Sequence, residues 1–435
     1  MRYYSLNQQS PDVDFREATL RGLAPDKGLY FPRSIPVLDA AWLNKFKDLG
    51  KAQIAFDVIR PYVGECIPHD VLYRICEETV AFDFPLVEVT GNIHSLELFH
   101  GPTLAFKDVG ARFMSRCLAW FSKENTKKTT VLVATSGDTG SAVANGFKGV
   151  EGVEVVILYP SGKVSKVQEL QLTTPGKNIR TLEVKGSFDD CQRMVKEAFM
   201  DKDLHQRLVL TSANSINVAR WLPQQFYYFF ALQQWAHERP PVISVPSGNF
   251  GNLCSGLLAS VSGLPVAHFI AACNSNKVFT WYLDTGVYQP ARSVVTISNA
   301  MDVGDPSNFL RILELFGKEH KRMKEQVSSY SVSDHQTAAI IWEVYHHAKY
   351  LLDPHGAVAY RGLQLYLEKH PKEKGLILET AHPVKFAETV EGITGDKVPV
   401  PPALGDLLKQ KKKSTLINPS FTALKEFLMQ RELAR

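Results

Sequence analysis

Between about residue 85 and residue 275, short apolar runs rich in β-branched residues alternate with longer segments of helical period. Gly, Ser or Asn joins most of these pairs, as expected between a strand and a helix. Repeated strand–helix units predict parallel sheets, with ligands at the carboxyl ends of the strands. The predicted strands are Leu96–Phe99, Thr130–Ala134, Glu154–Tyr159, Arg180–Val184, Leu208–Thr211, Val242–Val245 and Ala267–Ala271.

Helical periodicity marks the segments around this region. The helix predicted after the first strand has a bulky residue every fourth position, which gives it a face that can pack on a sheet. That face consists of Val109, Phe113, Cys117 and Phe121. Roughly the first 80 residues read as a mostly helical region. Its predicted helical segments are Ala40–Leu49, Ala52–Tyr62 and His69–Glu78. Two helices, one buried strand and a polar tail are predicted near the end of the chain. Those three elements are Ser333–Ala348, Val358–Glu368 and Gly375–Glu379.

Composition narrows the class of protein. A chain of 435 residues with 45% hydrophobic and 22% charged residues can bury a large core and is long enough for more than one domain. The net charge of +4 is too small for a typical nucleic-acid binder, and we interpret the basic run Lys409–Lys413 as a solvated segment. Because neither a signal peptide nor a long apolar run is present, we expect a cytoplasmic protein without a membrane partner. The six cysteines lack CxxC spacing, which favours reduced thiols over a metal site.

The strongest sign of a ligand is the segment Pro246–Asn252, with the sequence Pro-Ser-Gly-Asn-Phe-Gly-Asn, which follows a predicted strand and leads into a helical run. Glycines let the backbone turn sharply there, and the free N–H groups of the next helix then face an anion. The segment matches neither a nucleotide P-loop nor a dinucleotide fingerprint. A phosphate cradle and a tight turn without a ligand both remain compatible with it.

A second Gly-rich junction is Ala134–Ala142, with the sequence Ala-Thr-Ser-Gly-Asp-Thr-Gly-Ser-Ala, and it also follows a predicted strand. Its hydroxyl and N–H groups are able to hold a carboxylate or a phosphate. Asp138 would repel such an anion unless its side chain points away or caps the helix, and we expect it to be the cap.

An unusual lysine lies at the start of the helix that carries Val109. Lys107 occupies the first turn, where the helix dipole disfavours a cation, and the preceding Leu104–Phe106 offers little solvation. One explanation is a side chain that extends to the surface. The other is a desolvated amine of lowered pKa, the condition for a Schiff base with an aldehyde. Two anion cradles and such a lysine fit a small anionic aldehyde cofactor, and pyridoxal phosphate meets that description.

With these motifs in view, the chain resembles the threonine synthase family of pyridoxal-phosphate enzymes over essentially its whole length. The motifs that carry the resemblance are His100–Asp108, Ser136–Ala142, Ser247–Asn252, Gly22–Asp26, Met301–Asn308 and Glu379–Pro383. The resemblance implies an α/β protein of the type II pyridoxal-phosphate fold, with two parallel-sheet domains and a mostly helical N-terminal region. The implied units are an N-terminal region 1–82, a large cofactor-binding domain 83–108 and 214–400, a smaller α/β domain 109–213, and a tail 401–435 on the large domain.

The resemblance also implies roles for individual residues. Lys107 forms the Schiff base with the cofactor, and Thr380 lies against the pyridine nitrogen. A hydroxyl there, in place of a carboxylate, makes a weaker electron sink and restrains competing chemistry. The residues implied to hold the cofactor phosphate are Gly248, Asn249, Phe250, Gly251 and Asn252.

The implied reaction converts O-phospho-L-homoserine and water to L-threonine and phosphate, the last step of threonine biosynthesis. Lys107, once the substrate amine displaces it, serves as the mobile base at Cα and Cβ. Asn214, Asn217 and Arg220 recur every three residues, so they share one face if the segment is helical. Arg220 is then a clamp for the substrate phosphate, whereas the alternative is a capped helix with a surface arginine. The other candidates for contacts with the substrate are Thr135, Ser136 and Thr139.

Two other functions stay open on the sequence. A phospholyase with nearly the same motifs would eliminate phosphate without retaining water and would release 2-oxobutyrate. A non-catalytic protein that binds phosphorylated small molecules would keep the two anion loops and lack the Schiff base. The expected assembly is a monomer or a homodimer.

Overall fold

The computed structural model describes residues 1–124 and 128–433. The N-terminal region is mostly helical, as the pattern predicts, and also contains a small antiparallel sheet. Its elements are β1 Tyr3–Ser5, α1 Phe15–Arg21, β2 Tyr30–Pro32, α2 Ala40–Lys45, α3 Lys51–Val63 and α4 His69–Thr79. Asp14 caps α1 and Asp39 caps α2, because each carboxylate accepts backbone N–H groups of the first helical turn.

Strands and helices then alternate from residue 86 to residue 212. These elements are β3 Leu86–Thr90, β4 Ile93–Glu97, α5 Lys107–Phe121, β5 Thr129–Ala134, α6 Asp138–Phe147, β6 Val153–Pro160, α7 Lys166–Thr173, β7 Ile179–Val184, α8 Phe188–Met200, α9 Lys202–Arg207 and β8 Val209–Ser212. The prediction Leu96–Phe99 began too late, since β4 starts at Ile93 and ends at Glu97.

The remainder of the chain continues the alternation and ends in a strand and a helix. Its elements are α10 Val218–Trp221, α11 Phe226–Gln234, β9 Val242–Pro246, α12 Gly251–Val261, β10 His268–Cys273, α13 Val278–Thr285, α14 Phe309–Leu315, α15 His320–Gln326, β11 Val327–Ser331, α16 Asp334–Ala348, α17 Pro354–Leu367, β12 Gly375–Glu379, α18 Ala387–Thr394, β13 Thr415–Ile417 and α19 Phe421–Leu433. β12 has the predicted bounds. β11 was not predicted, because its sequence Val-Ser-Ser-Tyr-Ser has no apolar run.

Two main sheets organise the residues that the structure describes. One has the strand order β11-β10-β9-β12-β4-β3 and is parallel except for β3, which pairs antiparallel with β4. The other has the order β13-β7-β6-β5-β8 and is parallel throughout. This confirms the predicted α/β architecture with two parallel-sheet units. The domain boundaries given above remain our proposal.

Burial explains why these segments form these elements. β6 is buried at every position, as expected for a strand of a parallel sheet that is covered on both faces. The predicted apolar face of α5 is also buried, from Val109 to Phe121, and α5 packs against α4 and α6. Each large apolar side chain buried in this way contributes about 1.5–3 kcal/mol. This packing therefore fixes the backbone position of Lys107, the first residue of α5.

The C-terminal tail contradicts the prediction that residues 401–435 pack on the large domain. Leu404 does belong to the core beside the larger sheet. From Thr415, however, the chain joins the smaller sheet, where β13 pairs in parallel with β7. α19 packs on α8 and buries Leu424 and Leu428 in the same apolar cluster as Met194. The prediction failed because the apolar residues of α19 indicate that it packs on a core but do not show on which of the two sheets.

Three further findings concern residues 1–124 and 128–433. No helix there is both long and apolar enough to cross a membrane. No group of His, Cys, Asp or Glu side chains in these ranges is arranged to hold a metal ion. All six cysteines lie in these ranges as free thiols.

Candidate active site

A cavity of about 2070 Å³ lies where the carboxyl ends of β5, β9 and β12 meet. Ligand sites of open parallel sheets are expected at this end of the strands. The structure brings every residue predicted to contact cofactor or substrate, except Asn217, to the wall of this cavity. Those residues are Lys107, Thr135, Ser136, Thr139, Asn214, Arg220, Gly248, Asn249, Phe250, Gly251, Asn252 and Thr380.

Backbone pairing between two loops fixes the position of Lys107. The Phe106 N–H donates to the Thr380 carbonyl at 2.9 Å, and the His382 N–H donates to the Leu104 carbonyl at 3.0 Å. Leu104 has a φ of 58°, a left-handed conformation that turns the chain into α5. These contacts bring Thr380 beside Lys107, although the two residues are far apart in the sequence.

The surroundings of the Lys107 amine disfavour its positively charged form. Its pKa falls from 10.5 to about 8, mainly because burial disfavours the charged form. The negative charge of Asp138 opposes the shift, and the positive charges of Arg220 and Lys385 add to it. The side chain still lines the cavity, so a small ligand can reach it. These features agree with the desolvated amine and not with a side chain that extends to the surface.

The segment between β9 and α12 forms an anion cradle. Gly248 approaches the neighbouring backbone so closely that a Cβ there would lie 2.7 Å from the Cα of Met301. Phe250 has a φ of 59°, and this left-handed residue directs the first N–H groups of α12 to the cavity. Asn252 Oδ1 accepts from the Tyr228 hydroxyl at 3.0 Å, but its buried Nδ2 has no partner among the described residues. A buried, unpartnered donor at a helix N-terminus fits a phosphate.

The side chain of Asn249 supports the cradle from behind. Its Nδ2 donates to Ser215 Oγ at 2.8 Å, and its Oδ1 accepts from the Ser307 N–H at 2.7 Å. Asn308 Nδ2 donates to the Asn249 carbonyl at 3.1 Å, and the buried Arg311 donates to Asn308 Oδ1 at 2.8 Å. The amide of Asn249 is therefore engaged by protein, which leaves its N–H as the group suited to a phosphate.

The second Gly-rich segment, between β5 and α6, is held by its own threonine. Thr135 Oγ1 accepts from the Gly137 N–H at 3.0 Å and from the Gly140 N–H at 2.8 Å. These contacts bend the loop so that Ser136 and Thr139 line the cavity and stay partly exposed. Of the three predicted hydroxyls, those two are suited to a ligand, whereas that of Thr135 already holds the loop.

The prediction that Asp138 caps α6 was wrong. Gly137 occupies the N-cap position, and Asp138 is the first helical residue. The carboxylate of Asp138 instead accepts from Lys385 Nζ at 2.8 Å and from Gln168 Nε2 at 2.9 Å. Although burial alone would raise its pKa, Lys385 and Lys107 hold the pKa of the Asp138 carboxyl well below its usual range. The negative charge of Asp138 is thus compensated by cations of the protein itself.

The predicted shared face of Asn214, Asn217 and Arg220 does not exist, because α10 begins only at Val218. Asn217 is the N-cap and is fully buried, so it does not reach the cavity. Asn214 lines the cavity from the preceding loop. The expectation of a capped helix was correct, but the arginine is not a surface residue.

Arg220 is a buried cation on the wall of the cavity. Its side chain is 2% exposed, and burial lowers its pKa to about 10. One guanidinium nitrogen donates to the Ala213 carbonyl, while Nε has no partner among the described residues. Because a buried cation is costly without a counter-charge, this residue is suited to an anionic ligand.

Sequence reasoning missed the cations that the N-terminal region contributes. Arg16 and Arg21 of α1 and Lys27 of the following loop line the cavity. A basic residue in an amphipathic helix is ordinarily a surface residue, so no sequence signal identified them.

A histidine that lines the cavity was also missed. His355 lines the cavity, and its Nε2 accepts from the Ala300 N–H at 3.2 Å. Its Nδ1 donates to Asp353, the residue that caps α17. The sequence Asp-Pro-His-Gly signals the cap but does not show which way the histidine points.

Comparison with known proteins supports the chemistry of this cavity. The family model described as pyridoxal-phosphate dependent enzyme matches residues 89–379. With two mainly parallel sheets and a lysine that shares one cavity with two Gly-rich segments, this match defines a pyridoxal-phosphate-dependent enzyme of the type II fold. Models of the threonine synthase N terminus and of the threonine synthase C-terminal part match residues 2–80 and 356–428.

Relatives match over the full length. Threonine synthase of Buchnera aphidicola subsp. Acyrthosiphon pisum is 43% identical over 434 residues, 99% of this chain and 100% of the relative. The crystal structure of threonine synthase from Escherichia coli has 41% identity and a TM-score of 0.93, covering 99% of this chain and 100% of that one. The structure of PLP-bound threonine synthase from Brucella melitensis has 32% identity and a TM-score of 0.92, covering 99% of each chain. The chain belongs to the threonine synthase family.

Proposed function

We propose that this chain catalyses the conversion of O-phospho-L-homoserine and water to L-threonine and phosphate, with pyridoxal phosphate held at Lys107. The observation that carries the proposal is one cavity that is lined by a desolvated lysine and by two Gly-rich segments, each at the start of a helix. Membership of the threonine synthase family supports the reaction, and the contacts within the cavity support the roles of the residues.

The residues of the cavity fit pyridoxal phosphate. Lys107 would hold it covalently, and its phosphate would lie against residues 248–252, where Asn252 has a free donor. Thr380, directly after β12, would supply a hydroxyl for the ring nitrogen. When bound, the cofactor supplies an aldehyde for the substrate amine and a ring that draws electrons from Cα.

Lys107 is suited to move protons at Cα and Cβ of the substrate. With a pKa of about 8, part of its amine is unprotonated near neutral pH and can act as a base. The buried face of α5 fixes the backbone of Lys107, while the side chain is long enough to serve two adjacent carbons. One side chain then serves as both tether and base.

Arg220 is our candidate for the substrate phosphate. Its guanidinium is buried and lies on the cavity wall, and a phosphate dianion would supply the missing counter-charge. Arg16 lines the same cavity, as does Arg21, whose charge is paired with Glu17. Asn214, Ser136 and Thr139 are the candidates for hydrogen bonds to the α-carboxylate, with help from the first N–H groups of α6.

We also propose a cytoplasmic enzyme that is a monomer or a homodimer. The free thiols of all six cysteines support a reducing compartment. Sedimentation analysis would measure the assembly, and a larger oligomer would contradict this part of the proposal.

A chemical experiment tests the role of Lys107. Borohydride reduction of the cofactor-loaded protein should fix the cofactor on the peptide that contains Lys107, and Lys107→Ala should abolish the visible absorption of the bound cofactor. Attachment at another lysine, or a visible band retained by Lys107→Ala, would contradict the assignment. A protein without any visible band would support the non-catalytic alternative. Release of 2-oxobutyrate in place of threonine would support the phospholyase.

A further inference from the structure

A buried ion pair connects the two sheet units close to Lys107. Lys385 Nζ lies 2.8 Å from Asp138 Oδ1, and the two side chains are 0% and 5% exposed. Asp138 begins α6, beside the smaller sheet, whereas Lys385 belongs to the short turn Pro383–Phe386 that follows β12. The candidate ligand group Thr139 follows Asp138 on α6, and the candidate Thr380 lies between β12 and this turn.

The pair is held by a small network that also reaches the loop before Lys107. Lys385 Nζ donates to the Thr103 carbonyl at 2.8 Å, and Gln171 Nε2 donates to the same oxygen at 3.1 Å. Gln168, one turn earlier on α7, donates to Asp138 Oδ1 at 2.9 Å. The network therefore fixes α6, α7 and the turn after β12 against the segment that positions the lysine.

The charges of this ion pair affect both the proposed anion site at Ser136 and Thr139 and the amine of Lys107. An unpaired carboxylate at Asp138 would oppose an anion at Ser136 and Thr139. The charged groups that act on the Lys107 amine are Asp138, Arg220 and Lys385. Breaking either half of a buried ion pair would leave the other half uncompensated in this network.

Resting on the proposed role of Lys107 as the cofactor lysine, we propose that Lys385 is a positioning residue that neutralises Asp138 across the domain boundary. The neutralised carboxylate keeps the second Gly-rich segment open to an anion. The two members of the pair act on the Lys107 amine in opposite directions, because the carboxylate of Asp138 favours its charged form and the ammonium of Lys385 opposes it.

The test is the pH dependence of cofactor attachment. Cofactor-free protein is mixed with pyridoxal phosphate, and the rate at which the visible band appears is followed against pH, because only the unprotonated amine reacts. Asp138→Asn removes a negative charge and should lower the pH midpoint, whereas Lys385→Met removes a positive charge and should raise it. Each shift should be on the order of one pH unit. The double variant Asp138→Asn/Lys385→Met should have a pH midpoint between those of the two single variants.

A matched control is Lys425→Met, which breaks an ion pair of the same 2.8 Å length, with Asp201, outside the cavity. It should leave the midpoint unchanged. Single variants that shift in the same direction, or folded variants without a shift, would overturn the inference. If Lys385→Met does not fold, the pH midpoint of Asp138→Asn is the test, since Asn keeps an acceptor for Lys385 and Gln168. An unchanged or raised midpoint in Asp138→Asn would then refute the inference. Failure of the unsubstituted protein to develop a visible band would instead refute the role of Lys107.

Discussion

Replacing Lys107 by methionine should stabilise the cofactor-free protein at neutral pH. The folded state lowers the pKa of this amine from 10.5 to about 8, and one pKa unit corresponds to about 1.4 kcal/mol. Keeping this lysine buried therefore costs up to about 3 kcal/mol of the free energy of unfolding. Residues kept for function at the expense of stability are typical of active sites.

The sign of the pH dependence follows from the direction of the shift. Because the folded-state pKa lies below that of the unfolded chain, the penalty is fully present below a pH of about 8 and is lost as the pH rises towards 10.5. The advantage of Lys107→Met should shrink by about 1.4 kcal/mol per pH unit in that window. The apolar methionine adds only a contribution that does not depend on pH.

Urea denaturation of the two cofactor-free proteins at several pH values measures this difference. Lys425→Met is the control, because the pKa of Lys425 is raised by its hydrogen bond to Asp201, so its removal should give no gain. A Lys107→Met protein that is less stable near neutral pH, or whose advantage is the same at all pH values, would refute the reasoning about desolvation.

Three further predictions concern the two anion sites. Asn252→Asp replaces the unpartnered donor with an oxygen, so the affinity for pyridoxal phosphate in a visible-band titration should fall at least about tenfold, a loss of about 1.5–3 kcal/mol. The control Tyr228→Phe should change this affinity by no more than a few-fold, and equal losses in the two variants would contradict the role of the donor. Gly248→Ala places a Cβ 2.7 Å from Met301 Cα and should also weaken cofactor binding. The control Gly392→Ala, whose Cβ meets open space, should not; unchanged cofactor binding by Gly248→Ala would show that the loop shifts without cost. Arg220→Met should raise the KM for O-phospho-L-homoserine at least about tenfold with the visible band intact, and an unchanged KM would remove Arg220 from the phosphate site.

Much of the architecture is predictable from local pattern. Apolar runs such as Val242–Val245 identify central strands, because a strand covered on both faces needs apolar residues at successive positions. Lys107 was identifiable because a cation in the first turn of an apolar helix conflicts with the helix dipole. Edge elements such as β11 and β13 escaped prediction, since β11 is mostly polar and β13 is only three residues long and largely exposed.

Contacts between distant segments were not predictable. The partner of Asp138 is Lys385, and nothing near either residue in the sequence indicates the other. The hydroxyl of Thr135 and the amide of Asn249 read as ligand groups, but the folded chain uses them to hold its own loops. Sequence pattern thus identified the segments of the site, whereas the division of each segment into ligand groups and supporting groups required the fold.

The central claim is most directly tested by identifying the products formed from O-phospho-L-homoserine by the cofactor-loaded protein in oxygen-labelled water. We expect L-threonine and phosphate in equal amounts, with the label in the threonine hydroxyl, and no turnover by Lys107→Ala. Accumulation of 2-oxobutyrate and ammonia in place of threonine would contradict the claim.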